Sequence, residues 1–322
     1  MCEHRIRHMT KSTHTTTSMD EEQKNAFRAG YTGNVALLST LTDKMLIDTY
    51  YSGAVFAEQS DEARQCLATG ASADKESLLA FEHRHKDIIQ LTLKHGAEPN
   101  MVLHYAAKAG YMDIVQQVLD MGAAAICGIN AAAEHNHMEI FRLLVENVVD
   151  PKDPYIMKNA ALYGRMGMVL LLLAEGADPN AGLEGAADGG YMDIVKLMLE
   201  HGADPNRGIE SAAVNRYANI VRLLISEGAT KLGTGLHMAA FEGYADIVEL
   251  LLSHGAAPYE GLHVAAWRGH AEVVKLLLAQ PGIDVNKKDD EGRTPLDCAL
   301  EFDEAACAEL IRAAGGKESS EL

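Results

Sequence analysis

No stretch of this chain approaches the roughly 20 consecutive apolar residues that a membrane helix requires, so no membrane-spanning segment is expected. Basic residues are few: 28 Lys and Arg stand against 46 Asp and Glu, a formal net charge of −18. That deficit speaks against nucleic acid, because neutralising phosphates needs a basic stripe. It favours a basic or neutral protein partner. Cysteine is sparse as well. Cys2, Cys66, Cys127, Cys298 and Cys307 keep no C-x-x-C spacing, and an odd count without a secretory leader predicts reduced thiols in an intracellular, cytoplasmic protein. The opening MCEHRIRHMTKSTHTTTS lacks an apolar h-region, so residues 1–24 are expected to be a flexible tail. Aromatics make up 6% of the chain and include a single tryptophan, Trp267.

Catalytic signatures are missing too. There is no G-x-S-x-G elbow, no phosphate-binding G-x-x-x-x-G-K loop and no H-E-x-x-H zinc helix. Histidine is plentiful, but nine of fourteen recur at fixed intervals: His104, His237 and His263; His85, His137 and His270; His95, His201 and His254. Slot-keeping of this kind indicates structural hydrogen bonding rather than metal ligation. Cys2, His4, His8 and His14 are suitable ligand types on a segment without a supporting shell. No enzyme activity, cofactor or metal is expected.

What the chain does have is self-similarity. A pair of small residues, followed three positions later by Gly or a polar stand-in, begins at Ala80, Ala106, Ala132, Ala160, Ala186, Ala212, Ala239 and Ala265, at spacings of 26, 26, 28, 26, 26, 27 and 26. Weaker copies precede and follow, for about eleven units over residues 25–316. GLHMAAFEGYADIVELLLSHGA, from Gly235, reads as a short helix with an Ala face, a Gly stop, an apolar second helix and a second Gly stop. Such a helical hairpin cannot bury its own surface alone. Stacking its neighbours buries a continuous core, as in a solenoid. With helices packed about 8–10 Å apart, eleven units would span roughly 100 Å.

LHYAAKAGYMDIVQQVLDMGA from Leu103, GYMDIVKLMLEHGADPN from Gly190 and VNKKDDEGRTPLDCA from Val285 make the chain resemble the ankyrin-repeat family. That family's unit is about 33 residues, with the pattern T-P-L-H-x-A, two helices and a β-turn. Here Asn286 to Leu296 spans ten residues, but Asn180 to Leu183 and Asn206 to Ile209 span three. The difference accounts for the shorter period: most units have lost the projecting hairpin. A tight turn relieved by Gly182 or Gly208 is expected in its place, and the Pro of GADPN (Pro179, Pro205) is expected to stop the preceding helix from resuming. The resemblance implies an all-α, ankyrin-type helical-repeat solenoid with mostly truncated β-hairpins and one full hairpin near the C-terminus. Residues 317–322 would be a tail, whose Ser-Glu-Leu end has the form of a free-carboxylate ligand. An irregularity is expected at 146–154, where Val148 replaces the usual Gly. A β-branched residue resists the left-handed conformation, so that helix should end near Asn147.

The resemblance also implies a non-catalytic, monomeric scaffold that binds a partner protein on the concave face lined by the first helices. An alternative is a substrate-recruiting subunit of a ubiquitin ligase, or an effector of an intracellular pathogen or virus acting on host proteins. No F-box-like Leu-Pro helix supports the ligase reading. The two residues after each Ala pair point into the groove of such arrays. Acidic residues such as Glu58, Glu82 and Glu134 hold these slots early in the chain, whereas Tyr163, Val214, Asn215, Phe241, Glu242, Trp267 and Arg268 hold them later. Aromatic and Arg side chains are the usual carriers of interface energy, so the later group is the expected partner-binding site. Tyr111, Tyr191, Tyr217 and Tyr244 share one slot with His270, which indicates packing. Asp289, Asp290 and Glu291, at the tip of the complete finger, form an expected auxiliary site.

Overall fold

The computed structural model describes residues 21–33, 37, 41, 44–56, 60–69, 71–74, 80, 85–148 and 150–322. Cys2, His4, His8, His14, Glu58 and Glu82 lie outside the described residues. Twenty α-helices and no β-strand occur among those described. The chain divides into two compact units, Met1–Val149 and Asp150–Leu322.

The first unit holds α1 (Glu21–Thr32), α2 (Lys44–Phe56), α3 (Ser60–Ala68), α4 (Lys86–Lys94), α5 (Pro99–Ala109), α6 (Met112–Asp120), α7 (Ile126–Glu134) and α8 (Met138–Asn147). α1 and α2 meet backbone to backbone, because a Cβ on Gly30 or Gly53 would strike the carbonyl of Tyr50 or Phe27. α8 ends at Asn147, and Val148 is extended, with φ −82° and ψ 148°. Elsewhere the same helix is followed by a left-handed Gly, as at Gly122 with φ 91°. The β-branch of Val148 makes that conformation costly.

The second unit is a run of six helical pairs: α9 (Pro154–Leu162) with α10 (Met166–Ala174), α11 (Pro179–Gly189) with α12 (Met192–Glu200), α13 (Ile209–Val214) with α14 (Ala218–Ser226), α15 (Leu232–Glu242) with α16 (Ala245–Ser253), α17 (Tyr259–Trp267) with α18 (Ala271–Leu278), and α19 (Pro295–Glu301) with α20 (Ala305–Ala313). Each first helix packs on the next first helix and on the second helix of its own pair. The Ala pairs make this close approach possible: Ala186, Ala187, Ala239, Ala240, Ala265 and Ala266 are fully buried. The second helices supply bulk to the core through residues such as Ile194, Val195, Ile247, Val248, Val273 and Val274. Two of the six first helices end on Arg216 and Asp303, each with φ 59°, and the other four on a left-handed Gly, such as Gly190 and Gly243, both with φ 78°. A ring from the next pair then covers that bare Cα: Tyr191 over Gly164, Tyr217 over Gly190 and His270 over Gly243. His270 also meets the Phe241 carbonyl through Nε2 at 2.8 Å.

Two expectations about the junctions need correction, and one gains a detail. The Pro of GADPN, which follows the end of one helix, also opens the next element. Asp178 caps α11 by accepting from the Asn180 N–H, and Pro179 is its first residue; an N–H there would have had no partner in any case. Gly182 does not relieve backbone strain. It lies inside α11, where a Cβ would collide with the sulfurs of Met198 and Met157. Gly208 likewise has a right-handed backbone, with φ −99°, and a Cβ there would come within 3.0 Å of Leu224. Both glycines make room for packing. The full hairpin near the C-terminus has no strand ladder: residues 287–293 form a turn in which the Asp289 N–H donates to the Arg293 carbonyl at 2.9 Å.

The period itself is pinned by side chains. Asn180 Oδ1 accepts from the Asp204 N–H at 2.9 Å, 24 residues away, and Asn206 Oδ1 accepts from Thr230 and Lys231 at 2.8 Å each. In the first unit Asp48 does the same for Ser72, Asp74 for Glu98 and Asn100 for Ala124, each across 24 residues. The slot of Asp48, Asp74 and Asn100 recurs every 26 residues. Asn286 continues the scheme by accepting from the Lys317 N–H at 2.7 Å. The end of the chain is therefore held. Thr294 Oγ1 donates to the Lys317 carbonyl at 2.8 Å, and the Ser319 N–H donates to Asp297 Oδ2 at 3.0 Å. Residues 317–319 are thus tied to the last helical pair and the turn before it.

Candidate functional site

Phe241 sits near the end of α15, Trp267 is the last residue of α17, and Phe302 caps the end of α19. Because these helices stack in register, the three rings line up across successive pairs. The Phe241 and Trp267 centroids are 5.8 Å apart and tilted by 60°; those of Trp267 and Phe302 are 5.5 Å apart at 66°. The first pair is tilted and the second edge-to-face, both at centroid separations within the favourable range for aromatic pairs. Arg268 lays its guanidinium over the Phe241 ring, 4.4 Å from the centroid. Trp267 and Phe302 nevertheless remain 38% and 47% exposed. Large apolar side chains clustered in the open are the informative kind of exposure.

The rings form one wall of a groove of about 510 Å³, shared with His237, His263, Val264 and the finger residues Asp289, Glu291 and Arg293. His263 ties the finger to α17 through Nε2 and the Lys287 carbonyl, 2.8 Å apart. Arg293 organises the finger. Its Nε and Nη2 each donate to Asp289 Oδ2 at 3.0 Å, and its backbone N–H donates to Asp289 Oδ1 at 2.8 Å. Its Nη1 reaches Glu291 at 2.9 Å and Glu301 at 3.3 Å. Burial pushes the Asp289 carboxyl up, but the N–H and guanidinium of Arg293 outweigh it and hold the group below its ordinary value. Asp289 therefore belongs to the loop's framework, which corrects its reading as part of an exposed acidic tip. Asp290 and Glu291 are the exposed carboxylates there.

At the foot of the finger, Thr294 and Asp297 form a reciprocal cap on α19. Burial raises the Asp297 carboxyl, yet the N–H groups of Thr294 and Ser319 and the Thr294 hydroxyl bring it below its ordinary value. Cys298, at the groove floor, is buried, and that burial pushes its thiol up to about 11. It stays protonated at neutral pH and is no nucleophile there.

The other expected site residues lie elsewhere. Tyr163 caps α9, Val214 ends α13, and both are half-buried outside the groove lining. Asn215 donates to Asp188 Oδ1 at 2.8 Å and to the Ser211 carbonyl at 3.0 Å, linking neighbouring first helices. Glu242 is half-buried beside Phe241. The structure thus brings Phe241, Trp267 and Arg268 together and leaves the other four out. Phe302 is the residue that sequence reasoning missed. It stands three residues after Ala299, the slot of Arg268 after Ala265, but the last unit has Ala-Leu in place of the Ala pair.

Several of the described histidines have structural partners: besides His263 and His270, His137 meets the Lys108 carbonyl at 3.1 Å and His201 the Leu197 carbonyl at 2.8 Å. Among the described residues no group of three or more His, Cys, Asp or Glu comes together as a metal site, and no helix is long and apolar enough to cross a membrane. No disulfide joins the described cysteines: Cys66, Cys298 and Cys307 are buried thiols and Cys127 is half-buried.

The sequence profile of the family described as Ankyrin repeats matches the chain three times, over residues 103–182, 183–261 and 236–319. No curated protein matches the chain.

Proposed function

We propose that this chain, which belongs to the ankyrin-repeat family, binds a partner protein on the face formed by the ends of its first helices, with the groove of Phe241, Trp267 and Phe302 as the energetic centre. Ankyrin repeats are generally protein–protein interaction modules and typically non-catalytic. The carrying observation is the run of three rings in contact, two of them substantially exposed, beside an open groove. Rings held by their neighbours lose little side-chain entropy on binding, which is why aromatic anchors concentrate interface energy. By family resemblance this face is concave, and a partner lying along it would also meet Glu242, Asn215, Val214 and Tyr163. Asp290 and Glu291 on the finger form an auxiliary contact.

Affinity capture followed by mass spectrometry, with wild-type chain beside a Trp267→Ala, Phe302→Ala variant, tests the reading. A Leu170→Ala variant on α10, another exposed apolar residue, serves as the control. Partners retained by the control and lost by the aromatic variant support the groove. Partners captured equally by all three would overturn it.

A further inference from the structure

The chemistry of the groove's rim narrows the partner further, given the groove reading above. One guanidinium, that of Arg293, lines the groove with two carboxylates, Asp289 and Glu291, and a third carboxylate, Glu301, reaches Arg293. Arg293 is already shared among Asp289, Glu291 and Glu301. The rim therefore keeps an excess of negative charge beside an apolar floor. This is not a local accident, for residues 231–322 carry sixteen acidic side chains and eight basic ones.

The rings add a second preference. The Phe241 face already holds a guanidinium, that of Arg268, at 4.4 Å. This geometry suits a cation over an aromatic ring, and Trp, the strongest such acceptor, is the ring left open next to it. An anionic segment would have to approach Glu291 and Glu301 with like charge, and a purely apolar one would partly desolvate both carboxylates, which share the single Arg293 guanidinium, without offering a further cation.

We infer that the groove takes a basic peptide segment of the partner. An apolar side chain seats between Trp267 and Phe302, and an adjacent Arg or Lys stacks on the open Trp267 face within reach of Glu291 and Glu301. Because Trp267 is the only tryptophan, its emission reports on this site and no other. The experiment titrates the full chain with a capped peptide alternating Leu and Arg, and with its counterpart alternating Leu and Glu. The Leu-Arg peptide is expected to shift Trp267 emission saturably, and the Leu-Glu peptide to leave it unchanged. Replacing Glu291 and Glu301 by Gln is expected to weaken the Leu-Arg peptide roughly fivefold, since each is an exposed charge of modest worth. Phe302→Ala, which retains the reporter, is expected to weaken it more, at low and high salt alike. Equal binding of both peptides, tighter binding of the Leu-Glu peptide, or no response to either would overturn the basic-segment inference. The groove reading falls separately, if capture of partners survives loss of Trp267 and Phe302.

Discussion

Replacing Asn206 by Ala removes the side chain that joins one repeat to the next. Its Oδ1 accepts from the Thr230 and Lys231 N–H groups at 2.8 Å each, and its Nδ2 donates to Asp204 Oδ1 at 2.7 Å. These groups lie at the surface, so water takes over part of what is lost, and each bond counts at its net worth of about 0.5–1.5 kcal/mol. The two backbone bonds together make the expected loss about 2 kcal/mol. With a urea m-value of about 2 kcal/mol/M, the unfolding midpoint should fall by about 1 M. Hydrogen exchange at Thr230 and Lys231 should quicken beyond the change in global stability. Asn206→Asp keeps the acceptor but sets a second carboxylate beside Asp204, so its loss should fall between those of wild type and Ala. An Ala variant whose midpoint stays within about 0.3 M of wild type, with unchanged exchange at both amides, would refute this account of the 26-residue period.

Other outcomes follow from the same geometry. Val148→Gly should destabilise by about 0.5–1 kcal/mol, because Val148 is extended and Gly adds only unfolded-state freedom there; a gain in thermal stability would point to a left-handed cap. Asp289 has its folded pKa depressed, so its contribution is complete above its unfolded value, about 3.9, and is lost as pH falls through the depressed one. The Arg293 Nε–H resonance should therefore hold its shift down to pH 4 or so and move only below it, while Glu291→Gln leaves that titration in place. Deleting residues 317–322 removes the partners of Asn286, Thr294 and Asp297 and should lower the stability of the last helical pair by roughly 1–3 kcal/mol, read as faster exchange in α19 and α20.

Much of the helical pattern was legible because it depends on contacts repeated within each unit. An Ala pair is needed wherever two first helices touch, and Gly wherever the next ring lies on the preceding Cα, so both recur at the period. Val148 was legible for a backbone reason, since a β-branched residue resists the left-handed conformation that Gly adopts in this slot. The junctions were not, because they depend on which residues of neighbouring units meet. Gly182 looks like a turn glycine until Met157 and Met198 close over it. Asn180 looks like a loop residue, although its acceptor meets a donor 24 positions on. Asp289 carried a local cue, an Asp opening a turn that it can bridge with its own side chain, but its pairing with Arg293 needed the loop's path. Of the site, Trp267 and Phe241 could be read from the slot rule. Phe302 could not, because the last unit replaces the second Ala with Leu300 and the Gly with Asp303, whose φ is 59°.

The most direct test of the central claim is the affinity of a captured partner for two double variants at low and high ionic strength, measured by calorimetry. Phe241→Ala, Trp267→Ala removes ring area whose burial salt does not screen, and a loss of about 2 kcal/mol or more per anchor predicts binding weaker by at least a hundredfold at both salt levels. Asp290→Asn, Glu291→Gln leaves the Arg293–Asp289 framework intact and removes only exposed charge, so it should weaken binding modestly and mainly at low salt. If the loop variant abolishes binding while the aromatic variant binds like wild type, the groove is not the recognition site and the finger is.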